Sequence, residues 1–247
     1  MKRIFIVFAL LVAVMFLASR MQNYKFPVKQ VETIDNVYPY KAPTIQHKRS
    51  YLTVLVGDSM THLLGENAPK LREKLIELYP THEFVNYNYG FGATNILSLP
   101  ERLNNETKYL DTTHPSILSQ DFDLILIESF GHNPLSDFPL EEGLKKQEEV
   151  LDQSVRAIIK ERPKAVIAFL TPIAPSKEHY AKGVVTLTNE QREVWVSERI
   201  RYIGNHVKFA KERGIPVADV YSESLNEKRE ADLRYIAKDY LHPSPAG

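Results

Sequence analysis

The sequence predicts an α/β fold built on a doubly wound, five-stranded parallel sheet. Three observations lead there. Short apolar runs without alternation, such as Phe122–Glu128 (FDLILIE) and Ala165–Leu170 (AVIAFL), have the composition of strands buried on both faces. Between them lie longer stretches whose apolar residues recur every three or four positions, the period of an amphipathic helix. The two patterns alternate from Tyr51 onward, which argues for βαβ units with right-handed crossovers.

The chain opens with Ile4–Ala18 (IFIVFALLVAVMFLA), an unbroken apolar run behind Lys2 and Arg3. A positive start followed by an apolar run is an export-signal pattern. The run is short for a span of roughly 20 residues, but Ser19 and Met21 can extend it. Leu17-Ala18-Ser19 ahead of Arg20 is a poor small-x-small cleavage site, so residues 1–20 read as an uncleaved signal anchor in preference to a cleaved signal peptide. Lys2 and Arg3 then stay cytoplasmic, and the rest lies outside the membrane. Residues 21–50 lack either period and contain Pro27, Pro39 and Pro43, as an extended linker would.

The domain proper is expected over residues 51–247. Leu52–Val56 is the first strand, running into the turn Gly57-Asp58-Ser59. Helix is expected from Met60, with Leu64, Ala68, Leu71, Leu75 and Leu78 packing one face on the sheet. Glu83–Tyr87 is a second strand, followed by the loop Asn88–Asn95. Strand Phe122–Glu128 ends in the loop Ser129–Pro134, and Leu140, Leu144, Leu151, Val155 and Ile158 mark a long helix. Ala165–Leu170 is the fourth strand, and 171–187 a longer loop. Val196, Ile200, Ile203, Val207 and Ala210 define a helix that Gly214 caps, and Pro216–Val220 is the fifth strand.

Composition narrows the function. The 247 residues suffice for one domain of about 200 residues. A net charge of zero gives no reason to expect a nucleic-acid partner. The absence of cysteine excludes a disulfide framework, a thiolate nucleophile and cysteine-ligated metal.

Open parallel sheets place their sites at the carboxyl ends of strands. Four loops would gather there: Gly57-Asp58-Ser59-Met60, the loop holding Gly90 and Gly92, Gly131-His132-Asn133, and Asp239-Tyr240-Leu241-His242-Pro243. Ser59 alone reads equally well as a helix N-cap and as a nucleophile. Serine is a weak nucleophile at neutral pH and needs a base, which an imidazole such as His242 can supply.

In order and spacing, these four blocks resemble the SGNH hydrolase superfamily, also called the GDSL esterase/lipase family, across roughly residues 51–247. Gly-Asp-Ser matches the first block, with Met60 in place of the usual leucine. Asp239 and His242, three apart and followed by proline, match the last. Asn133 in Gly-x-Asn matches the third, although Pro134 replaces the aspartate that usually follows. The second-block glycine is best placed at Gly92, in a loop one residue short, with Gly90 as the alternative.

The resemblance implies a flavodoxin-like three-layer α/β/α sandwich. It implies Ser59 as nucleophile, His242 as base and Asp239 as the group orienting it. The oxyanion hole would comprise the backbone N–H groups of Ser59 and Gly92 and the side-chain amide of Asn133, with no cofactor or metal. Family members usually continue past the proline with a further helix, so the sequence reads as stopping short of the domain's end.

Other residues have plainer expected roles. Asp58 supports the turn, His132 fills a variable position, and His114 and His179 lie in surface loops. Glu128 and Ser129 either line the pocket floor or finish their strand. Asp121 and Asp123 sit at the wrong sheet edge for a metal, and Trp195 is core or groove wall. The expected function is an extracytoplasmic, membrane-anchored serine esterase acting on an acyl ester of a small molecule, glycan or lipid. An envelope O-acyltransferase and a non-catalytic glycan- or peptide-binding protein are the alternatives. Phosphoryl transfer through Asp58 lacks a second acidic ligand at a strand end.

Overall fold

A computed structural model describes residues 36–247. The expected signal anchor and residues 21–35 of the expected linker lie outside them. The first two strands are β1 (Ser50–Gly57) and β2 (Glu83–Gly90), which pair in parallel. A short antiparallel ribbon follows, β3 (Thr107–Tyr109) with β4 (Thr112–His114). Then come β5 (Leu124–Glu128), β6 (Val166–Leu170) and β7 (Val217–Ala218). The main sheet has the order β2-β1-β5-β6-β7 and is parallel throughout. The chain leaves β1 for β2 on one side and returns to β5 on the other. The crevice at the carboxyl ends of β1 and β5 is therefore the switch point where ligands bind in such sheets.

Among the described residues, six α-helices accompany the sheet: α1 (Ser59–His62), α2 (Pro69–Leu78), α3 (Leu99–Asn104), α4 (Leu140–Glu161), α5 (Asn189–Arg213) and α6 (Val220–Glu223). Strand residues alternate, so Val54, Val56, Ile125, Ile127, Ile167 and Phe169 belong to one core and are wholly buried. Leu99 and Leu103 of α3, Leu151, Val155 and Ile158 of α4, and Phe209 and Ala210 of α5 complete that core. Burying each large aliphatic or aromatic side chain contributes about 1.5–3 kcal/mol. The periodicity of α4 and α5 is that read from the sequence. Thr188 and Gln191 form a capping box at the start of α5, and Gly214 ends it at φ 72°.

Two sequence expectations need correction. The helix expected from Met60 through Leu78 is broken: α1 ends at His62, Gly65 and Ala68 take positive φ (85° and 41°), and Pro69 opens α2. Glycine supplies the left-handed turn, and proline is favoured at a helix start. The α2 helix is peripheral, with Leu71, Leu75 and Ile76 only half-buried and Leu78 exposed.

The linker, in turn, gives way to the domain before residue 51. The Tyr40 N–H donates to the Arg213 carbonyl (2.7 Å), and its hydroxyl accepts from the Ile167 N–H (2.8 Å). Tyr38 meets Phe209 edge-on. Two aromatic side chains thus anchor the entry to β1 on α5 and β6. Lys48 pairs with Asp123, whose carboxylate also accepts from the Leu52 N–H (3.0 Å), so Asp123 holds the base of the sheet.

Candidate active site

The first functional loop is the passage from β1 into α1. Asp58 caps α1, its Oδ1 accepting from the Met60 N–H at 2.8 Å. Ser59 is the first residue of that helix. The turn demands glycine at Gly57, where a Cβ would lie 2.1 Å from Thr61 Oγ1 and 2.7 Å from Glu128 Cβ. Gly90, at the end of β2, is equally constrained, since a Cβ there would stand 2.2 Å from the His62 nitrogen.

The last loop is a compact turn. Asp239 Oδ1 accepts from the N–H groups of Leu241 (3.0 Å) and His242 (3.1 Å), while the Ala237 N–H donates to the His242 carbonyl (2.7 Å). This backbone ring aims the two side chains. Asp239 Oδ2 lies 2.7 Å from His242 Nδ1, and His242 Nε2 lies 3.0 Å from Ser59 Oγ. The fold therefore joins residues 183 positions apart in sequence. Burial works to raise the Asp239 carboxyl, but hydrogen bonds from the His242 ring and the two backbone N–H groups together hold it below the usual range.

Asn133 lies in the turn after β5, its N–H donating to the Phe130 carbonyl (3.1 Å). Its side-chain amide donates to Asp58 Oδ2 at 2.9 Å, leaving one amide hydrogen for a further acceptor. Gly92 lies beside Ser59: a Cβ built on it would be 3.8 Å from Ser59 Cβ. Gly90 instead packs on α1, and its N–H is bound to Asn88 Oδ1 (2.8 Å), so Gly92 is the glycine facing Ser59. Its N–H is itself engaged, donating to the Tyr109 hydroxyl at 2.9 Å.

With the ring proton on Nδ1 directed to Asp239, His242 Nε2 is free to accept the Ser59 proton. That is the relay a serine nucleophile requires. The family model for GDSL-like lipases and acylhydrolases matches residues 55–247. The chain belongs to that family. Its chemistry is accordingly that of an ester-hydrolysing serine hydrolase.

Solved structures of similar fold include a lipase/acylhydrolase from Enterococcus faecalis, 18% identical with a TM-score of 0.55 over 80% of this chain and 89% of that one. A protein from Parabacteroides merdae described as a GDSL-like lipase is 17% identical, with a TM-score of 0.60 over 83% and 93%. An acetylxylan esterase from Geobacillus stearothermophilus is 16% identical, with a TM-score of 0.51 over 81% and 90%. No curated protein matches the chain.

In this GDSL-family chain the site rests on buried charges that the sequence reading missed or left open. Arg102 of α3 is 1% exposed. Its guanidinium donates to the carbonyls of Gly57 and Tyr89 (both 2.7 Å) and to the Ser98 (2.7 Å) and Thr94 hydroxyls, and it stacks on Phe91. One side chain thus ties the ends of β1 and β2 to the Gly92 loop. Burial lowers its pKa to about 10. The available signal was a cation between Leu99 and Leu103 on an apolar stripe, in a stretch where no helix was expected.

Glu128 sits beneath the nucleophile turn, accepting from the Ser129 hydroxyl (2.8 Å) and, more weakly, from the Asp58 N–H (3.4 Å). Burial, reinforced by the charge of Asp58, raises its carboxyl well above the ordinary value. Asp58 is pushed up by burial too, opposed by the Met60 N–H, the Asn133 amide and Arg102. Both carboxyls are thus biased toward the protonated form, while the Met60 N–H, the Asn133 amide and Arg102 favour the anion at Asp58.

Three further histidines pack against aromatic rings. His132 is buried against Tyr180 (Nδ1 to Oη 3.0 Å), and burial lowers its pKa to about 3. Expected on the surface, His114 instead packs on Tyr89 and Phe91, and His179 stacks on Tyr240 of the loop that carries His242. Trp195 is 37% exposed under the Arg199 guanidinium, a surface position and not core. Among the described residues no cluster of metal-ligating side chains occurs.

Proposed function

We propose that this protein is an extracytoplasmic serine esterase, tethered by residues 1–20, that removes acyl groups from an envelope glycan or lipid. The observation that carries the proposal is the His242 ring bridging Ser59 Oγ at 3.0 Å and Asp239 at 2.7 Å. In this reading Ser59 attacks the ester carbonyl, His242 takes its proton, and Asp239 stabilises the imidazolium. The alcohol leaves with the proton from His242, and water then hydrolyses the acyl-enzyme by the same route. Ser59 and Asn133 stabilise the oxyanion with a third donor in the Gly92 loop, and removal from water makes each donor worth about 10²–10³ in rate.

An acetyl substituent on a polysaccharide is the favoured substrate, because acetylxylan esterases are among the proteins of similar fold. Export is supported by the apolar run behind Lys2 and Arg3. The test is hydrolysis of p-nitrophenyl acetate and acetylated xylan by the full chain, beside Ser59→Ala. Turnover lost in the variant supports the esterase. Turnover retained in it removes Ser59 from the mechanism. Acyl transfer to an added glycan alcohol, at the expense of hydrolysis, would make the protein a transferase.

A further inference from the structure

We propose that the Tyr109 hydroxyl is a catalytic hydrogen-bond donor of the oxyanion hole, with the Gly92 N–H acting through it. The inference deepens the esterase reading and rests on it. Of the three donors expected, two are open. Ser59 opens α1, so its N–H has no acceptor within the helix, and Asn133 keeps one amide hydrogen after binding Asp58. The third is not open. The Gly92 N–H already donates to Tyr109 Oη at 2.9 Å, the distance at which it would hold an oxyanion.

The hydroxyl and Ser59 both border Gly92: a Cβ built there would be 2.9 Å from Tyr109 Oη and 3.8 Å from Ser59 Cβ. Tyr109 closes β3, paired with Thr112 across a tight turn in which Leu110 takes φ 52°. Its ring is clamped, stacked on Phe91 (centroids 4.5 Å apart, planes 9° apart) and edge-on to His62 (5.3 Å, 81°). Swinging it out of the site would break both ring contacts. A fixed phenol that accepts one hydrogen bond retains one O–H to donate, and accepting polarises that O–H toward stronger donation.

The reaction step balances without Tyr109 losing its proton. Ser59 Oγ bonds the acyl carbon, the carbonyl π pair moves onto oxygen, and the Ser59 proton passes to His242 Nε2. The Tyr109 O–H donates a hydrogen bond to the new oxyanion. Collapse restores the C=O bond and breaks the bond to the alcohol, which leaves with the proton from His242.

The experiment is Tyr109→Phe in the full chain, with p-nitrophenyl acetate as substrate and Ser59→Ala alongside. The variant keeps the ring stack and loses only the hydroxyl. We expect kcat to fall about 10²-fold with KM changed by no more than about twofold, as for loss of one transition-state donor. Phosphonylation of Ser59 by a fluorophosphonate, which also builds charge on oxygen, should slow by a similar factor, with the melting temperature held. An unchanged kcat, or a rise as expected if the hydroxyl merely blocks Gly92, overturns the proposal. Turnover surviving in Ser59→Ala fails the esterase reading instead, so the two failures are distinguishable.

Discussion

The side-chain amide of Asn133 donates to Asp58 Oδ2 at 2.9 Å, so the carboxylate that caps α1 also holds the Asn133 side chain. The residue before Ser59 therefore couples two loops, one after β1 and one after β5. Asp58→Asn replaces the acceptor by a group that is half donor and frees Asn133 to rotate. The expected result is a kcat lowered about 10–10²-fold with little change in KM, against about 10²–10³-fold for Asn133→Ala. Steady-state kinetics on p-nitrophenyl acetate decide it, and a wild-type kcat in Asp58→Asn would separate the two loops functionally.

Asp239→Asn leaves the histidine loop nearly isosteric but removes the charge that stabilises the imidazolium. A loss of about 10³–10⁴ in kcat is expected. The carboxyl is held below its ordinary 3.8, so it contributes stability that is present above that value and lost as pH falls through the folded one. The difference in melting temperature between wild type and variant should be flat near neutrality and close in acid. A difference that grows in acid would mean that Asp239 is not the stabilised anion.

Glu128 has the opposite sign. Its folded pKa is raised, so its full contribution to stability is present below the ordinary 4.5 and is lost as pH rises toward the folded value. The slope is at most about 1.4 kcal/mol per pH unit for one linked proton. Glu128→Gln removes that linkage, and melting curves should show the variant gaining on wild type as pH rises above the ordinary 4.5. Parallel curves would place the proton elsewhere.

The two glycines of the second block should fail differently. Gly90→Ala drives a methyl into the α1 backbone and should cost about 1–3 kcal/mol or more in urea unfolding. Gly92→Ala meets the Tyr109 hydroxyl at 2.9 Å, so the protein should fold while hydrolysis slows. A folded Gly92→Ala of wild-type activity would mean that the Tyr109 hydroxyl can be displaced without loss.

Much of this architecture was legible in the sequence because its determinants are local. The strands β5 and β6 are continuous apolar runs, α4 and α5 keep their period over many turns, and Gly57-Asp58-Ser59 and Asp239-x-x-His242 each pack their function into four residues or fewer. What escaped depends on contacts distant in sequence. Arg102 reaches carbonyls 45 and 13 residues away, and Tyr109 reaches the Gly92 N–H from a three-residue strand too short to leave a pattern. Tyr38 and Tyr40 looked like linker residues because the helix and strand that receive them lie more than 120 positions later. The break at Gly65 was visible, but the leucine spacing across it mimicked one continuous helix.

The most direct measurement is a rapid-quench reaction of the full chain with p-nitrophenyl acetate, followed by peptide mass spectrometry. An acetyl group on the peptide carrying Ser59, formed in a burst of p-nitrophenol and absent in His242→Ala, is the predicted result. Turnover with Ser59 unmodified at every quench time, or an acetyl group on another residue, would contradict its role as nucleophile.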